Sequence, residues 1–265
     1  MRVAAGPRKY WIEDNGESNI PLVFLHGFTG SSHTFDEVIS SLPPSVRTIT
    51  IDMPGHGETG ELGITTMEQF SRDLSVLLNK LGLSKIDLVG YSMGGRAALS
   101  FAMLYPGYID KLILESASPG LVSSEQQLAR QAKDQAFINK LQSQGVEAFI
   151  NDWEQVPLFH TQRKLSEEVQ QRIRRERLSH TAVGLSQSLE GMGTGKQPSW
   201  WNQLPDLNKE VLLIVGQQDE KFVQLNQEMD KQLPQSTYSE VKGVGHAIHV
   251  EEPRIFAKIV EEFVV

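Results

Sequence analysis

Residues 86–96 read Ile86-Asp87-Leu88-Val89-Gly90-Tyr91-Ser92-Met93-Gly94-Gly95-Arg96, and the fold is decided here. Ile86 to Val89 has the length and apolar character of a buried strand. A G-x-S-x-G motif follows at once, and Gly94 to Tyr105 then reads as a helix stopped by Pro106 and Gly107. A serine on a sharp strand-to-helix turn needs small neighbours, which Gly90 and Gly94 supply. Such a turn points the Ser92 hydroxyl away from the sheet, with the helix N-terminus beneath it. A glycine-rich turn carrying an incidental serine is the plainer reading; the strand before and the helix after favour a nucleophile.

Outward from this turn, strand and helix patterns alternate. Leu22 to Leu25, Val46 to Ile51, Leu112 to Leu114 and Val211 to Val215 read as further buried strands. Met67, Phe70, Leu74, Leu77, Leu78 and Leu81 keep helical spacing up to Gly82. The alternation predicts an α/β fold, a mostly parallel sheet with helices on both faces. It breaks after Ser118-Pro119-Gly120. About eighty residues follow with helical patterns alone: Leu128 to Leu141, the stretch around Val169 and Ile173, and Leu185 to Leu189. Residues 119–200 therefore read as a helical cap inserted into a core made of 1–118 and 201–265.

Bulk composition narrows the chemistry. The 265 residues carry 25 Lys and Arg against 33 Asp and Glu, a net charge of −8, which makes nucleic acid and anionic membranes poor partners. The expected cap holds ten of the basic and nine of the acidic residues, so it stands at +1 and the remainder at −9. No cysteine is present, which removes disulfides, thiolate metal sites and a cysteine nucleophile. Met1 to Trp11 lacks the apolar core of a signal peptide, and no apolar run approaches bilayer length. A soluble cytoplasmic protein is expected. The oligomeric state is left open, a monomer included.

A serine nucleophile needs a base, and the base an orienting acid. Asp219, just past the strand Val211 to Val215, and His246, in the loop Gly243-Val244-Gly245-His246, complete a Ser92–His246–Asp219 triad in the chain order this geometry uses. Glu115 is a weaker candidate acid, read otherwise as a strand-end carboxylate in solvent. His249 is a weaker base. The backbone N–H groups of Met93 and Phe28 are expected to form an oxyanion hole. His26 is expected to shape the Phe28 loop, and His56 the turn Pro54-Gly55-His56-Gly57.

Together His26-Gly27-Phe28, Asp52-x-Pro54-Gly55-His56-Gly57, Gly90-Tyr91-Ser92-Met93-Gly94-Gly95-Arg96 and Gly245-His246 resemble the α/β-hydrolase superfamily over nearly the whole chain. Finer features resemble one branch, the 2-succinyl-6-hydroxy-2,4-cyclohexadiene-1-carboxylate synthases of menaquinone biosynthesis. These are Gly94-Gly95-Arg96, Ser118-Pro119-Gly120-Leu121 with Arg130 and Asp134, Trp153-Glu154-Gln155-Val156-Pro157-Leu158-Phe159, and Asp219-Glu220-Lys221-Phe222. The resemblance implies pyruvate elimination from an enolpyruvyl cyclohexene bearing three carboxylates, with no metal or organic cofactor. It implies that Arg130 and Arg177 bind substrate carboxylates and that Tyr91 faces the substrate. Arg96, four residues after Ser92 and so on the same helix face, is suited to the same small anionic substrate, or else to a structural ion pair. Trp153 either lines the pocket or anchors the cap. An ester, lactone or carbon–carbon bond hydrolase with the same triad is the first rival, and a small-molecule receptor on the same fold the second.

Overall fold

The computed structural model describes residues 1–16 and 20–264. Strands β1 (Arg2–Ala5), β2 (Arg8–Asp14) and β3 (Leu22–Leu25) lead into the short helix α1 (Asp36–Ile39), β4 (Thr48–Ile51) and α2 (Met67–Lys80). Next come β5 (Ile86–Tyr91), α3 (Met93–Leu104) and β6 (Ile109–Glu115). Helices α4 (Ser124–Trp153), α5 (Glu167–Leu178) and α6 (Ala182–Met192) then succeed one another with no strand between them. The chain closes with β7 (Glu210–Gly216), α7 (Glu220–Gln232), β8 (Ser236–Val241), the one-turn α8 (Ile248–Glu251) and α9 (Pro253–Val264).

The eight strands form one sheet in the order β1-β2-β4-β3-β5-β6-β7-β8. β1 and β2 are antiparallel to their neighbours; from β4 to β8 every pairing is parallel. Alternate residues of the central strands serve opposite faces, as the pleat requires. Val23, Leu25, Leu88 and Leu213 join a core with Leu74 of α2, Ala98 of α3 and Met229 of α7. Leu22, Phe24, Val89 and Ile214 join a second core with Val38 of α1 and Phe256 and Val260 of α9. The strand-free insertion has its own smaller core, in which Ile138, Leu141, Phe149 and Ile150 of α4 meet Leu185 and Leu189 of α6. α4 is interrupted at Gly145, whose φ of 80° only glycine adopts readily. Leu128 lies on α4 but faces solvent.

The five expected strands are all present, with ends that differ by up to three residues. β1, β2 and β8 come in addition to them. In β2 only Tyr10 and Ile12 are buried, among charged neighbours, and β8 is an exposed edge. Neither makes the continuous apolar run by which the central strands are recognised.

Parallel register brings the carboxyl ends of β3, β5, β6 and β7 to one edge, with Leu25 opposite Gly90, Tyr91 opposite Glu115 and Glu115 opposite Ile214. α3 packs so closely on this edge that a Cβ at Gly94 would lie 2.0 Å from the Leu25 carbonyl oxygen. The turn into α3 places Ser92 at φ 50°, ψ −106°. A side chain in that conformation costs on the order of 1–3 kcal/mol. The Ser92 side chain makes no capping bond that would offset this cost. Ser92→Gly is therefore expected to be more stable than Ser92→Ala by about 1 kcal/mol, measured as urea midpoints, although neither keeps the hydroxyl.

Candidate active site

Three loops of the carboxyl edge converge at Ser92. His246 Nε2 lies 3.0 Å from Ser92 Oγ, and His246 Nδ1 lies 2.5 Å from Asp219 Oδ2. Asp219 precedes the first turn of α7, and His246 stands two residues ahead of α8. Both are buried. With the Nδ1 proton directed to the carboxylate, Nε2 is left to accept from the serine hydroxyl. The carbonyl of Glu115 accepts the Ser92 N–H at 2.9 Å, which ties the turn to the end of β6.

The loop after β3 is held by three buried imidazoles. The Gly27 carbonyl lies 2.7 Å from His26 Nδ1, and His26 Nε2 accepts the Met53 N–H at 3.0 Å. His56 Nε2 accepts the Thr29 N–H at 3.2 Å, with Nδ1 set 3.0 Å from the Pro54 carbonyl. His180, from the insertion, completes the set: Nε2 faces the Thr29 carbonyl at 3.0 Å and Nδ1 accepts the Gly57 N–H at 3.3 Å. Both backbone polar groups of Thr29 are thus fixed, in a residue held at φ 68°. Phe28, next to it, packs its ring against Trp153 and Phe149 of the insertion, at centroid distances of 5.4 and 6.2 Å. Each imidazole uses one nitrogen as acceptor and the other as donor, so all three sit in the neutral form. The sequence assigned the shaping of this loop and turn to His26 and His56; His180 carried no pattern that would have distinguished it.

A cavity opens at Ser92, lined by Phe28, Tyr91 and Met93 of the core and by Arg130, Trp153 and Phe159 of the insertion. Arg96 and Lys221 also border it. Arg96 is buried, and its Nη1 donates to the Met192 carbonyl at 2.8 Å and approaches Gln197 Oε1 at 3.4 Å. Among the described residues it makes no ion pair, so the structural ion pair is not what holds it. Burial, then the charge of Arg130, lowers its pKa to about 9, and it remains a cation at neutral pH. Arg130 is shared with Asp134 at 2.8 Å and is one-third exposed. Lys221, unresolved between substrate contact and bystander in the sequence, stands at the cavity wall; burial and Arg130 lower its pKa.

One expectation needs correction. Glu115 is not in solvent: it is fully buried and pairs with the equally buried His249, Nδ1 to Oε2 2.8 Å. Arg177 does not border the Ser92 cavity. It packs on the Phe159 ring, 4.8 Å from the centroid, donates to Gln162 Oε1 at 3.0 Å and lies 3.4 Å from Glu154.

Comparison with known proteins accords with this geometry. The family model for the alpha/beta hydrolase fold matches residues 20–253. A 2-succinyl-6-hydroxy-2,4-cyclohexadiene-1-carboxylate synthase of Serratia proteamaculans (strain 568) is 31% identical over 256 residues, covering 96% of this chain and 97% of that protein. A Bacillus subtilis (strain 168) protein provisionally given the same name is 44% identical over 260 residues, covering 96% and 94%. The chain belongs to the 2-succinyl-6-hydroxy-2,4-cyclohexadiene-1-carboxylate synthase family of the α/β-hydrolase fold. Among solved structures, MenH from S. aureus superposes with a TM-score of 0.91 at 38% identity, covering 96% of this chain and 97% of that one. Within this family's fold the present chain has no helix, among the described residues, long and apolar enough to cross a membrane.

The imidazole cluster predicts an acid sensitivity. Burial pushes His26, His56 and His180 below the usual 6.5, so below that pH the unfolded chain binds protons that the folded chain refuses. Each imidazole then removes up to about 1.4 kcal/mol of stability per pH unit as pH falls from about 6.5 toward its folded pKa. Asp87, pushed up to about 6 by burial and then by Asp110, and Glu251, raised by burial, act in the opposite direction. The effect is therefore read as a difference. His180→Asn is expected to lose part of the acid dependence below pH 6.5, its stability falling less steeply than that of the wild type as pH is lowered, measured by urea titration of the two side by side.

Proposed function

We propose that this protein eliminates pyruvate from 2-succinyl-5-enolpyruvyl-6-hydroxy-3-cyclohexene-1-carboxylate to give 2-succinyl-6-hydroxy-2,4-cyclohexadiene-1-carboxylate, a step of menaquinone biosynthesis, in the cytoplasm. The observation that carries this reading is the cavity at Ser92, where the buried Arg96 has no ion-pair partner among the described residues and Arg130 and Lys221 add further positive charge. A guanidinium desolvated without a counter-ion is costly until an anion arrives. In a chain of net charge −8, three cations around one cavity suit a substrate with three carboxylates. Membership of the synthase family supports the same reading.

The chemistry follows from the side chains in their places. Asp219 orients His246, whose Nε2 takes the Ser92 proton. Ser92 Oγ removes the ring proton next to the succinyl ketone, and charge moves onto the ketone oxygen. The Phe28 and Met93 N–H groups stabilise that enolate. The electron pair then shifts through the ring, the existing double bond moves, and the carbon–oxygen bond to the enolpyruvyl group breaks. Pyruvate leaves as its enolate, which takes up the proton held by His246 and so becomes the enol. Ser92 serves as a base here, and no acyl-enzyme forms. Tyr91 and Trp153 contribute walls against the substrate. Residues 119–200 act as a cap that brings Arg130 and the aromatic walls over the reacting ring. Arg177 is reserved behind Phe159 in this arrangement, and its contact with substrate carboxylate requires Phe159 to move.

Pyruvate release from the enolpyruvyl cyclohexene, followed with lactate dehydrogenase, tests the proposal. Ser92→Ala and His246→Ala are each expected to lose on the order of a thousandfold or more in kcat. Arg96→Met is expected to lower kcat/KM by about a hundredfold. Near-normal turnover by Ser92→Ala, or rapid hydrolysis of p-nitrophenyl esters with no pyruvate formed, would refute it.

A further inference from the structure

Glu115 and His249 form a second acid–imidazole pair that the chemistry above does not use. Neither side chain borders the cavity at Ser92. Glu115 is fully buried and His249 is 2% exposed. Enclosing a carboxylate this completely costs several kcal/mol before compensation, and well-packed apolar residues commonly do as well or better for stability. The pair's value therefore lies in what it holds in place.

Its connections are specific. The Glu115 backbone carbonyl accepts the N–H of Ser92 at 2.9 Å. Its side chain reaches the other partner: Oε1 accepts the His249 backbone N–H at 3.0 Å, and the carboxylate lies 2.8–2.9 Å from His249 Nδ1. His249 belongs to the single turn of α8, three residues after His246. One residue at the end of β6 is thus bonded to the amide of Ser92 and to the helix that follows His246. The rings extend the link. Tyr91, immediately before Ser92, packs on His249 at 4.4 Å and on His246 at 5.4 Å. Phe35 at 4.8 Å and Phe256 at 6.2 Å also pack on the His249 ring.

We infer that Glu115 and His249 are positioning residues that set the 3.0 Å approach of His246 Nε2 to Ser92 Oγ by fixing both partners to the end of β6. The inference rests on the reading of Ser92 and His246 as the reacting pair. Removing the His249 ring leaves α8 attached to Glu115 by a single backbone bond and leaves Tyr91 without the nearer of its two imidazole neighbours. His246 then drifts relative to Ser92 while the cations of the cavity stay where they are. Turnover falls and substrate affinity does not. Asparagine at 249 keeps an N–H directed at the carboxylate.

The test compares wild type, His249→Leu, His249→Asn and Glu115→Gln. Pyruvate release is measured beside the rate at which a fluorophosphonate labels Ser92, both per folded molecule as counted by circular dichroism. His249→Leu is expected to lose on the order of tenfold or more in kcat and in labelling rate, with KM within about twofold, because small displacements of reacting groups are costly. His249→Asn is expected to recover most of both rates. If His249→Leu does not fold, Glu115→Gln carries the comparison, with the same split between kcat and KM expected. Folded His249→Leu or Glu115→Gln protein that labels and turns over within twofold of wild type overturns the inference. So does a loss accounted for by the unfolded fraction alone. Wild type that labels at Ser92 but releases no pyruvate overturns the substrate reading, and the labelling ratios still decide the positioning role.

Discussion

α3 lies against β3 with no room for a side chain at Gly94, because a Cβ there would meet the Leu25 carbonyl oxygen at 2.0 Å. That contact forces the chain to turn within one residue of leaving β5, and Ser92 absorbs the turn at φ 50°. Position and strain at the serine share this origin. The described non-glycine residues at positive φ are Thr29, Ser92 and Ser116, and each stands in a loop at the carboxyl edge of the sheet where the cavity opens. Strain gathered in this way is held by the surrounding packing: here the imidazole cluster around Thr29 and the β6 carbonyl on Ser92.

Charge is arranged with similar economy. The sequence as a whole repels anions, yet Arg96 enters the cavity on the first turn of α3 and finds only a carbonyl and an amide oxygen as partners. Arg130 is paired with Asp134, and Arg177 is turned toward Glu154 and Gln162. The cations thus differ in what they already hold. Of these three arginines Arg96 keeps the largest unmet demand for an anion, on the helix that follows Ser92.

Much of this was legible in the chain. G-x-S-x-G placed the turn because its strand and helix are strong local patterns, and the distant Asp219 and His246 followed from their places after β7 and before the last helices. β1, β2 and β8 were not legible, since β1 buries only Ala5, β2 only Tyr10 and Ile12, and Ser236–Val241 offers little apolar signal. Glu115 misled because a charged residue ending a strand normally meets solvent; the pairing with His249 is a tertiary event between segments 134 positions apart. His180 and Lys221 were invisible or undecided for the same reason. Arg177 matched the family in sequence, but its side chain is set by Phe159 and Gln162, which local spacing does not encode.

Phe28 belongs to two bodies at once. Its backbone lies in the loop after β3, pinned through Thr29, while its ring sits edge-on to Trp153 and Phe149 in the aromatic cluster of the insertion. The loop that carries the Phe28 amide is therefore braced from two sides, by the imidazoles through Thr29 and by the insertion through the ring, so a change in either support reaches the same stretch of backbone.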